Sequence, residues 1–229
     1  MNIAIDCASG GIGSAVSEIF ANEGHNLILI GRDENKLNEL KNKLIKNNNS
    51  CINCFSSSGY SDALIKVNEF IDKKNIGIDV LINTCGVFNI EDFSMTGERD
   101  YDECFDVNVK RPIFVTLGLF DALKRCKGKV INIGSTSSYN GFKNTVLYCS
   151  SKHALLGFSR SLHEEWKDEG ISVHCISPGT VDTQMANILD QDKSTYIQPH
   201  EIAKLVFDIC QYTGNMVIPE IKAIRKIVR

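Results

Sequence analysis

Tyr148 and Lys152 stand four residues apart in the run Tyr148-Cys149-Ser150-Ser151-Lys152, a spacing that brings a phenol and an ammonium to one face of a helix. A phenol with the ordinary pKa of about 10 exchanges protons poorly at neutral pH, and a close cation favours the phenolate and lowers that value. Such a tyrosine serves as acid in one direction of a reaction and as base in the other. Tyrosine-lysine pairs one turn apart also arise by chance, so this pair takes its weight from what precedes it. Thirteen residues before Tyr148, the apolar run from Gly128 to Gly134 delivers Ser135 at its end, with Ser137 and Ser138 close behind. A hydroxyl there can hold a substrate oxygen against the phenol. Asn108, in Asp106-Val107-Asn108-Val109, places inside a helical run a residue that competes for backbone hydrogen bonds. Bending the helix, relaying a proton or plain solvent exposure would each account for it.

A second group could hold an anion. Asp6-Cys7-Ala8-Ser9-Gly10-Gly11-Ile12-Gly13 follows a short strand and opens a helix at Ser14 and Ala15. Glycines there let the backbone approach a pyrophosphate, which the free N–H groups and dipole of the helix end attract. Tight strand-to-helix turns also use glycine without binding anything. The second strand ends Ile30-Gly31-Arg32-Asp33, where Arg32 can form a bidentate contact with a phosphate, remain solvated, or pair with Asp33. Later, Ile176-Ser177-Pro178-Gly179-Thr180-Val181-Asp182-Thr183 joins a turn fixed by proline to a glycine that permits close approach.

These groups need a scaffold that gathers strand ends. Short apolar runs at Ile3 to Ile5, Leu27 to Ile30, Val80 to Ile82, Val130 to Ile133, Ile171 to Ile176 and Met216 to Ile218 predict strands. Between them, Ala15 to Asn22, Leu37 to Ile45, Ala63 to Ile71, Tyr101 to Leu123 and Tyr148 to Trp166 carry apolar residues at helical spacing. Pro112 interrupts the fourth and can kink or divide it. The alternation predicts an α/β fold, a doubly wound Rossmann-type domain over residues 1–229 with a central parallel sheet and helices on both faces. In such sheets the ligand crevice lies beyond the carboxyl ends of the strands, where strand order reverses. Asn47-Asn48-Asn49-Ser50 reads as a polar turn.

Composition narrows the partners. The chain has 229 residues, 43% hydrophobic, and a formal net charge of -3. That is enough for one sizeable core, with no field that would favour nucleic acid or an anionic membrane. No apolar run reaches the roughly 20 residues of a membrane span and no signal peptide precedes the first strand, so a cytoplasmic protein is expected. Nine cysteines are scattered, among them Cys85, Cys104, Cys149, Cys175 and Cys210 in apolar segments, and read as reduced, mostly buried thiols. Cys51-Ile52-Asn53-Cys54 has zinc-like spacing without a second pair, so no metal site is expected. His174 on its strand is assigned no chemistry.

Taken together, these stretches resemble the short-chain dehydrogenase/reductase family from Ile3 to about Ile221. Gly11, Ile12 and Gly13 match the end of its TGxxxGIG turn, while Asp6 and Cys7 stand where the family has threonine and glycine. Asp79-Val80-Leu81-Ile82-Asn83-Thr84-Cys85-Gly86 resembles its DVLVNNAG segment, matching at Asn83 and Gly86 and departing at Thr84 and Cys85. The departures at Asp6 and Thr84 suggest that the Thr84 hydroxyl bonds the Asp6 carboxylate. The resemblance implies a nicotinamide-dependent oxidoreductase with Asn108, Ser135, Tyr148 and Lys152 as its catalytic tetrad. Tyr148 would be the acid/base, Ser135 would orient the substrate oxygen, Lys152 would bind the ribose, and Asn108 would hold a proton-relay water. It further implies that Ser9, Gly11, Ile12, Gly13, Arg32, Asn83, Gly86, Pro178, Gly179 and Thr183, with Tyr148 and Lys152, bind the cofactor. Gly31 takes the place where an NAD(H) enzyme has its carboxylate and Arg32 follows it, which favours NADP(H) without excluding NAD(H).

The substrate expectation rests on Gln184 to Gln198, a short segment with few bulky apolar residues. It points to a compact polar carbonyl compound, such as a sugar or polyol precursor, with a 3-oxoacyl group left open. The rival function is a non-catalytic nucleotide sensor or a scaffold or partner subunit of the same fold. The family also implies a homodimer or homotetramer, through the Tyr101 to Leu123 and Tyr148 to Trp166 helices and the tail Ile221, Ile224, Ile227 and Val228.

Overall fold

Strands covered on both sides need apolar residues on both sides, and the central ones have them. The computed structural model describes residues 1–45, 50–189 and 192–226. Within these, β1 (Asn2–Asp6), β2 (Asn26–Gly31), β3 (Ile52–Ser56), β4 (Val80–Asn83), β5 (Lys129–Ile133), β6 (Ser172–Pro178) and β7 (Glu220–Ala223) form one sheet in the order β3-β2-β1-β4-β5-β6-β7. Every neighbouring pair is parallel. Because successive side chains point to opposite faces, Ile3, Ile5, Leu27, Leu29, Ile131 and Ile176 feed one core. Ala4, Ile28, Ile30, Leu81, Val130 and Val173 feed the other.

The first core is covered by α1 (Gly11–Asn22), α2 (Glu34–Ile45) and α8 (Pro199–Gln211), through residues such as Phe20, Leu37 and Val206. The second is covered by α3 (Tyr60–Lys74), α5 (Arg111–Gly118), α6 (Phe120–Cys126) and the end of α7 (Val146–Trp166), through Val67, Val115, Leu123 and Trp166. The doubly wound α/β sheet expected from the sequence is thus present.

Several local expectations are corrected. The last strand is not Met216 to Ile218, which is largely exposed. It lies at Glu220–Ala223, where the Glu220 carboxylate is gripped by Arg160 at 2.6 and 2.9 Å and by the Tyr139 hydroxyl at 2.9 Å. These anchors fix the register of β7 on β6. The sequence pattern does not announce β3, because its edge position leaves Asn53 and Ser56 only half-buried and blurs the apolar signal. α8 was also missed, although Pro199 at its start, the Glu201 carboxylate accepting from the Gln198 N–H at 2.7 Å, and buried Ile202, Val206 and Ile209 all announce a helix. Lys129 closes its other end by donating to the carbonyls of Ile209 and Cys210, both at 3.1 Å, and of Tyr212.

The run from Tyr101 to Leu123 is divided into three helices. α4 (Glu98–Phe105) passes into a π-turn at Asp106–Lys110, then into α5, and the chain breaks again at Leu119 before α6. Pro112 lies in the first turn of α5 and has no N–H for the carbonyl one turn back, so the wider turn falls just ahead of it. The polar turn at Asn47-Asn48-Asn49-Ser50 lies outside the described residues except for Ser50, and so do Ile227 and Val228 of the tail. Among the described residues no helix is long and apolar enough to cross a membrane.

Gly13 shows how tightly α1 meets the sheet. A Cβ there would lie 2.5 Å from the Cys7 carbonyl oxygen and 3.0 Å from the Ala8 Cα, both backbone atoms that cannot yield cheaply. Gly13→Ala should destabilise the fold by about 1–3 kcal/mol in urea unfolding monitored by circular dichroism; an unchanged midpoint would mean that α1 rides freely on β1.

Candidate active site

β1 and β4 are neighbours whose continuations run to opposite edges of the sheet, so their carboxyl ends open a crevice. Asp6 and Asn83 face each other in register at this point. Leaving β1, Cys7 takes a left-handed conformation at φ 57 and its carbonyl accepts the Gly10 N–H at 2.9 Å. α1 then begins at Gly10 with no side-chain cap and no carboxylate in its first turn. The free N–H groups and positive end of a twelve-residue helix therefore face the crevice. Among the described residues the Ser9 side chain has no hydrogen-bond partner. Across the turn, the space where a Gly11 Cβ would sit is filled by Thr183, whose Cγ2 lies 2.5 Å from that position. Glycine turn and Pro178-to-Thr183 stretch thus close on one another, as an elongated dinucleotide spanning both would require.

The departures at the turn have a physical resolution. The Asp6 carboxylate, fully buried, is held bidentately by Arg111 with Nε at 2.8 Å and Nη2 at 2.6 Å. The expected bond to the Thr84 hydroxyl does not form. Thr84 donates instead to the main-chain oxygens of Asp6 at 2.7 Å and Cys7 at 3.3 Å, because the carboxylate is turned towards a full positive charge. Cys7 and Cys85 are joined in a disulfide, with Cα atoms 5.1 Å apart, which corrects the expectation that all the cysteines are reduced. The other seven are free thiols, with Cys104, Cys149, Cys175 and Cys210 buried, Cys54 and Cys126 half-buried and Cys51 exposed. Neutralising Asp6 and folding the Cys7 side chain away towards Cys85 remove the charge and bulk that would oppose a pyrophosphate. The crevice therefore fits such a group.

At the end of β5 the chain extends through Ser135, and α7 carries Tyr148 and Lys152 on its first two turns. Ser135 is buried, accepts the Ser137 N–H at 3.1 Å, and lies close enough to the Tyr148 phenol to act on it. Ser137 and Ser138 are buried behind it. Tyr148 is half-buried, and its ring meets that of Phe88 edge to face at 4.6 Å between centroids. Burial pushes the phenol up to about 12, with Ser135 acting the other way. The lowering expected from Lys152 does not appear: burial sets the direction, and Lys152 is not among the groups that shift the phenol. Lys152, also buried, donates to the Ile133 carbonyl at 3.0 Å, and desolvation brings its ammonium down to about 8, against the raising influence of Cys175 and Cys104.

Asn108 occupies the π-turn, fully buried, which answers the question of solvent exposure. Its Oδ1 accepts the Val87 N–H at 2.8 Å, and its Nδ2 donates to the Val87 carbonyl and the Ser151 hydroxyl, both at 3.0 Å. Ser151 in turn donates to the Tyr148 carbonyl at 2.8 Å. A Cβ on Gly86 would lie 3.6 Å from Asn108 Oδ1, 3.7 Å from Lys152 Nζ and 3.4 Å from Met185 Cε. Glycine keeps that meeting point open.

The remaining expected residues are spread more widely. Asn83 lies inside the sheet, donating to Thr116 at 3.0 Å and to Asn132 at 2.8 Å, and Asn132 donates to Ser159 at 2.9 Å. This chain ties β4 and β5 to α5 and α7. Arg32 is exposed after β2 with no partner among the described residues; Asp33 instead caps α2 by accepting the Lys36 N–H at 3.1 Å. Pro178 ends β6, and the Gly179 N–H donates to Ala223 of β7 at 2.7 Å. His174 has both ring nitrogens bonded, at 2.8 Å to the Ile218 carbonyl and 3.0 Å to Ser172, as a packed strand histidine should. Sequence reasoning missed Arg111, Ser151, Phe88 and Met185. An acidic residue ending an apolar strand signals a missing cation, but nothing in the sequence says that the cation lies 105 positions away.

Comparison with known proteins is consistent with this geometry. Residues 2–194 match the family model described as short chain dehydrogenase. A 3-oxoacyl-[acyl-carrier-protein] reductase of Aquifex aeolicus is 27% identical, over 92% of this chain and 90% of that protein. Two solved structures share the fold with TM-scores of 0.87 and 21% identity. One is an alcohol dehydrogenase from the archaeon Thermococcus sibiricus complexed with 5-hydroxy-NADP, aligned over 98% of this chain and 96% of that one. The other is L-sorbose reductase from Gluconobacter frateurii complexed with NADPH and L-sorbose, aligned over 97% and 94%.

Two stability measurements follow. Arg111→Leu leaves the Asp6 carboxylate buried and unpaired and should cost roughly 3–5 kcal/mol, while Asp6→Thr/Arg111→Leu should recover most of it; equal losses in both variants would show that the guanidinium acts by packing alone. Lys152 has a folded value near 8 against about 10.5 unfolded, so its burial opposes folding fully below pH 8 and less as pH rises to about 10.5. Lys152→Met should therefore raise stability at pH 7 by about 1–3 kcal/mol, a gain that fades towards pH 10. A pH-independent difference in thermal melts would contradict a desolvated ammonium.

Proposed function

The chain belongs to the short chain dehydrogenase family, and from that premise we propose that it is an NADP(H)-dependent oxidoreductase interconverting a carbonyl and an alcohol. One arrangement carries the reading: Ser135 follows the end of β5 close to Tyr148, with Lys152 one helical turn further on. The cofactor supplies the hydride chemistry. The protein supplies position and a proton. Tyr148 is protonated at neutral pH and is placed to donate to a substrate oxygen that Ser135 also holds. The Lys152 ammonium, 5.9 Å from the ring centroid, stabilises the phenolate left behind. Asn108 and Ser151 hold the turn that carries the pair, and Asn108 Oδ1 and Lys152 Nζ flank the space at Gly86 through which a water could return the proton.

Support for NADP(H) comes from Arg32, exposed beyond β2 and unengaged by Asp33, where a guanidinium suits a 2′-phosphate. Ser9, Gly11, Ile12 and Gly13 would receive the pyrophosphate, with Gly86, Pro178, Gly179 and Thr183 lining the remaining length. The short segment after Thr183, together with the sugar reductase and acyl-carrier reductase to which the chain is similar, supports a compact polar carbonyl compound or a 3-oxoacyl group as substrate. A homodimer or homotetramer is supported by the apolar side chains that α4 and α5 leave exposed, Tyr101, Phe114 and Leu117. The sensor or scaffold reading rested on the departures at the turn, and the Asp6–Arg111 pair removes its main motive.

Fluorescence titration with NADPH and NADH in parallel tests the reading. NADPH should bind at least tenfold tighter, a preference of about 1.4 kcal/mol, and Arg32→Ala should abolish the difference. Tyr148→Phe should retain NADPH binding and lose about 10²–10⁴-fold in carbonyl reduction; full turnover by that variant would remove Tyr148 from the mechanism.

A further inference from the structure

We propose that the Cys7–Cys85 disulfide is a thiol-responsive clasp on the nucleotide turn, opened by a small-molecule dithiol and setting the affinity of the crevice through its redox state. The effect on affinity rests on the nucleotide-binding reading above; the existence of the clasp does not.

The placement carries the inference. Cys7 is the first residue after β1 and adopts φ 57, a left-handed conformation that a non-glycine residue resists. Its carbonyl is the acceptor on which the turn is built, taking the Gly10 N–H at 2.9 Å and the Thr84 hydroxyl at 3.3 Å. The disulfide fixes this strained residue to Cys85, the second residue after β4 and 78 positions away. Two residues beyond Cys85, Val87 is held through both its N–H and its carbonyl by Asn108. One covalent bond therefore joins the anion-binding turn to the segment that positions the catalytic cluster. Oxidised, the bond holds Cys7 in the conformation the turn needs and keeps its sulfur off the pyrophosphate path. Reduced, the Cys7 side chain is released and the left-handed conformation must be held by hydrogen bonds alone.

The two sulfurs are also unequal, which gives the exchange a direction. Cys7 is half-buried and reachable, while Cys85 is 5% exposed and lies 3.1 Å from Asp6 Oδ2, the oxygen that Arg111 Nε also bonds. An external thiolate attacks Cys7 Sγ, the disulfide bond breaks, and its electron pair leaves with Cys85 Sγ, which takes up a proton and can then donate its S–H to Asp6. The second thiol of the reductant displaces Cys7 from the mixed disulfide and leaves as the oxidised cyclic disulfide, with Cys7 protonated in turn. Two electrons pass from the dithiol to the protein, and no other reactant is needed.

The test compares the full-length protein, oxidised and after treatment with dithiothreitol, using differential alkylation with peptide mapping, hydrogen exchange and NADPH titration. Alkylation should find Cys7 and Cys85 blocked before treatment and both labelled after it. Reduction should then speed amide exchange at residues 8–14 and weaken NADPH binding about tenfold. The Cys7→Gly/Cys85→Ala variant, which restores glycine at the left-handed position, should bind NADPH with the same affinity with or without dithiothreitol. Labelling of both cysteines in the oxidised protein overturns the proposal, as does an NADPH affinity unchanged by reduction. Should NADPH bind in neither state, the functional reading fails separately, and the clasp stands or falls on whether exchange at residues 8–14 responds to reduction.

Discussion

The ion pair between Asp6 and Arg111 is the interaction on which the site depends. A carboxylate at the end of a central strand, 0% exposed, is costly to bury without a partner of matching geometry. Arg111 supplies a two-pronged one, and in doing so draws the start of α5 onto the end of β1. The π-turn that precedes Arg111 is held in place by the same contact, and Asn108 sits within it. One bidentate pair thus governs both the charge beside the glycine turn and the position of the residue that braces Val87 and Ser151.

Around this pair the molecule places several polar side chains in its interior. Thr116, Asn83, Asn132 and Ser159 form a buried chain across β4 and β5, and Asn108 and Ser151 form another that ends on the Tyr148 carbonyl. Networks of this kind rigidify when satisfied and cost stability where they are not. Most members are satisfied; Asn83 Oδ1 has no partner. Lys152 is the clearest expense, an ammonium desolvated enough to fall to about 8 and bonded to one carbonyl. Such an ammonium opposes folding, and its place one helical turn from Tyr148 accords with the proton-transfer role proposed for the pair.

How much of this the sequence holds depends on the range of each interaction. Strand and helix alternation, the glycine turn, the Tyr148–Lys152 spacing and the approach of Ser135 are local patterns, and hydrophobic periodicity with one-turn spacing suffices to read them. The doubly wound sheet follows because near-continuous apolar strands need cover on both faces. The last strand and α8 differ in this respect: β7 is fixed by the distant anchors of Glu220, whereas α8 carries its cap and apolar stripe in its own sequence.

Tertiary structure alone decided the charge state of the site. Arg111 reaches Asp6 across 105 positions, Cys85 reaches Cys7 across 78, and the meeting of Thr183 with Gly11 needs β6 and β1 to be already in one sheet. The direction of the Tyr148 shift was likewise out of reach, because spacing shows that a lysine is near but only packing shows how dry the phenol is. The sequence by itself determined which groups could do the chemistry and in what order they come. Their partners, and with them the balance of charge and burial, were settled by the fold, since electrostatics and desolvation depend on distance in space rather than along the chain.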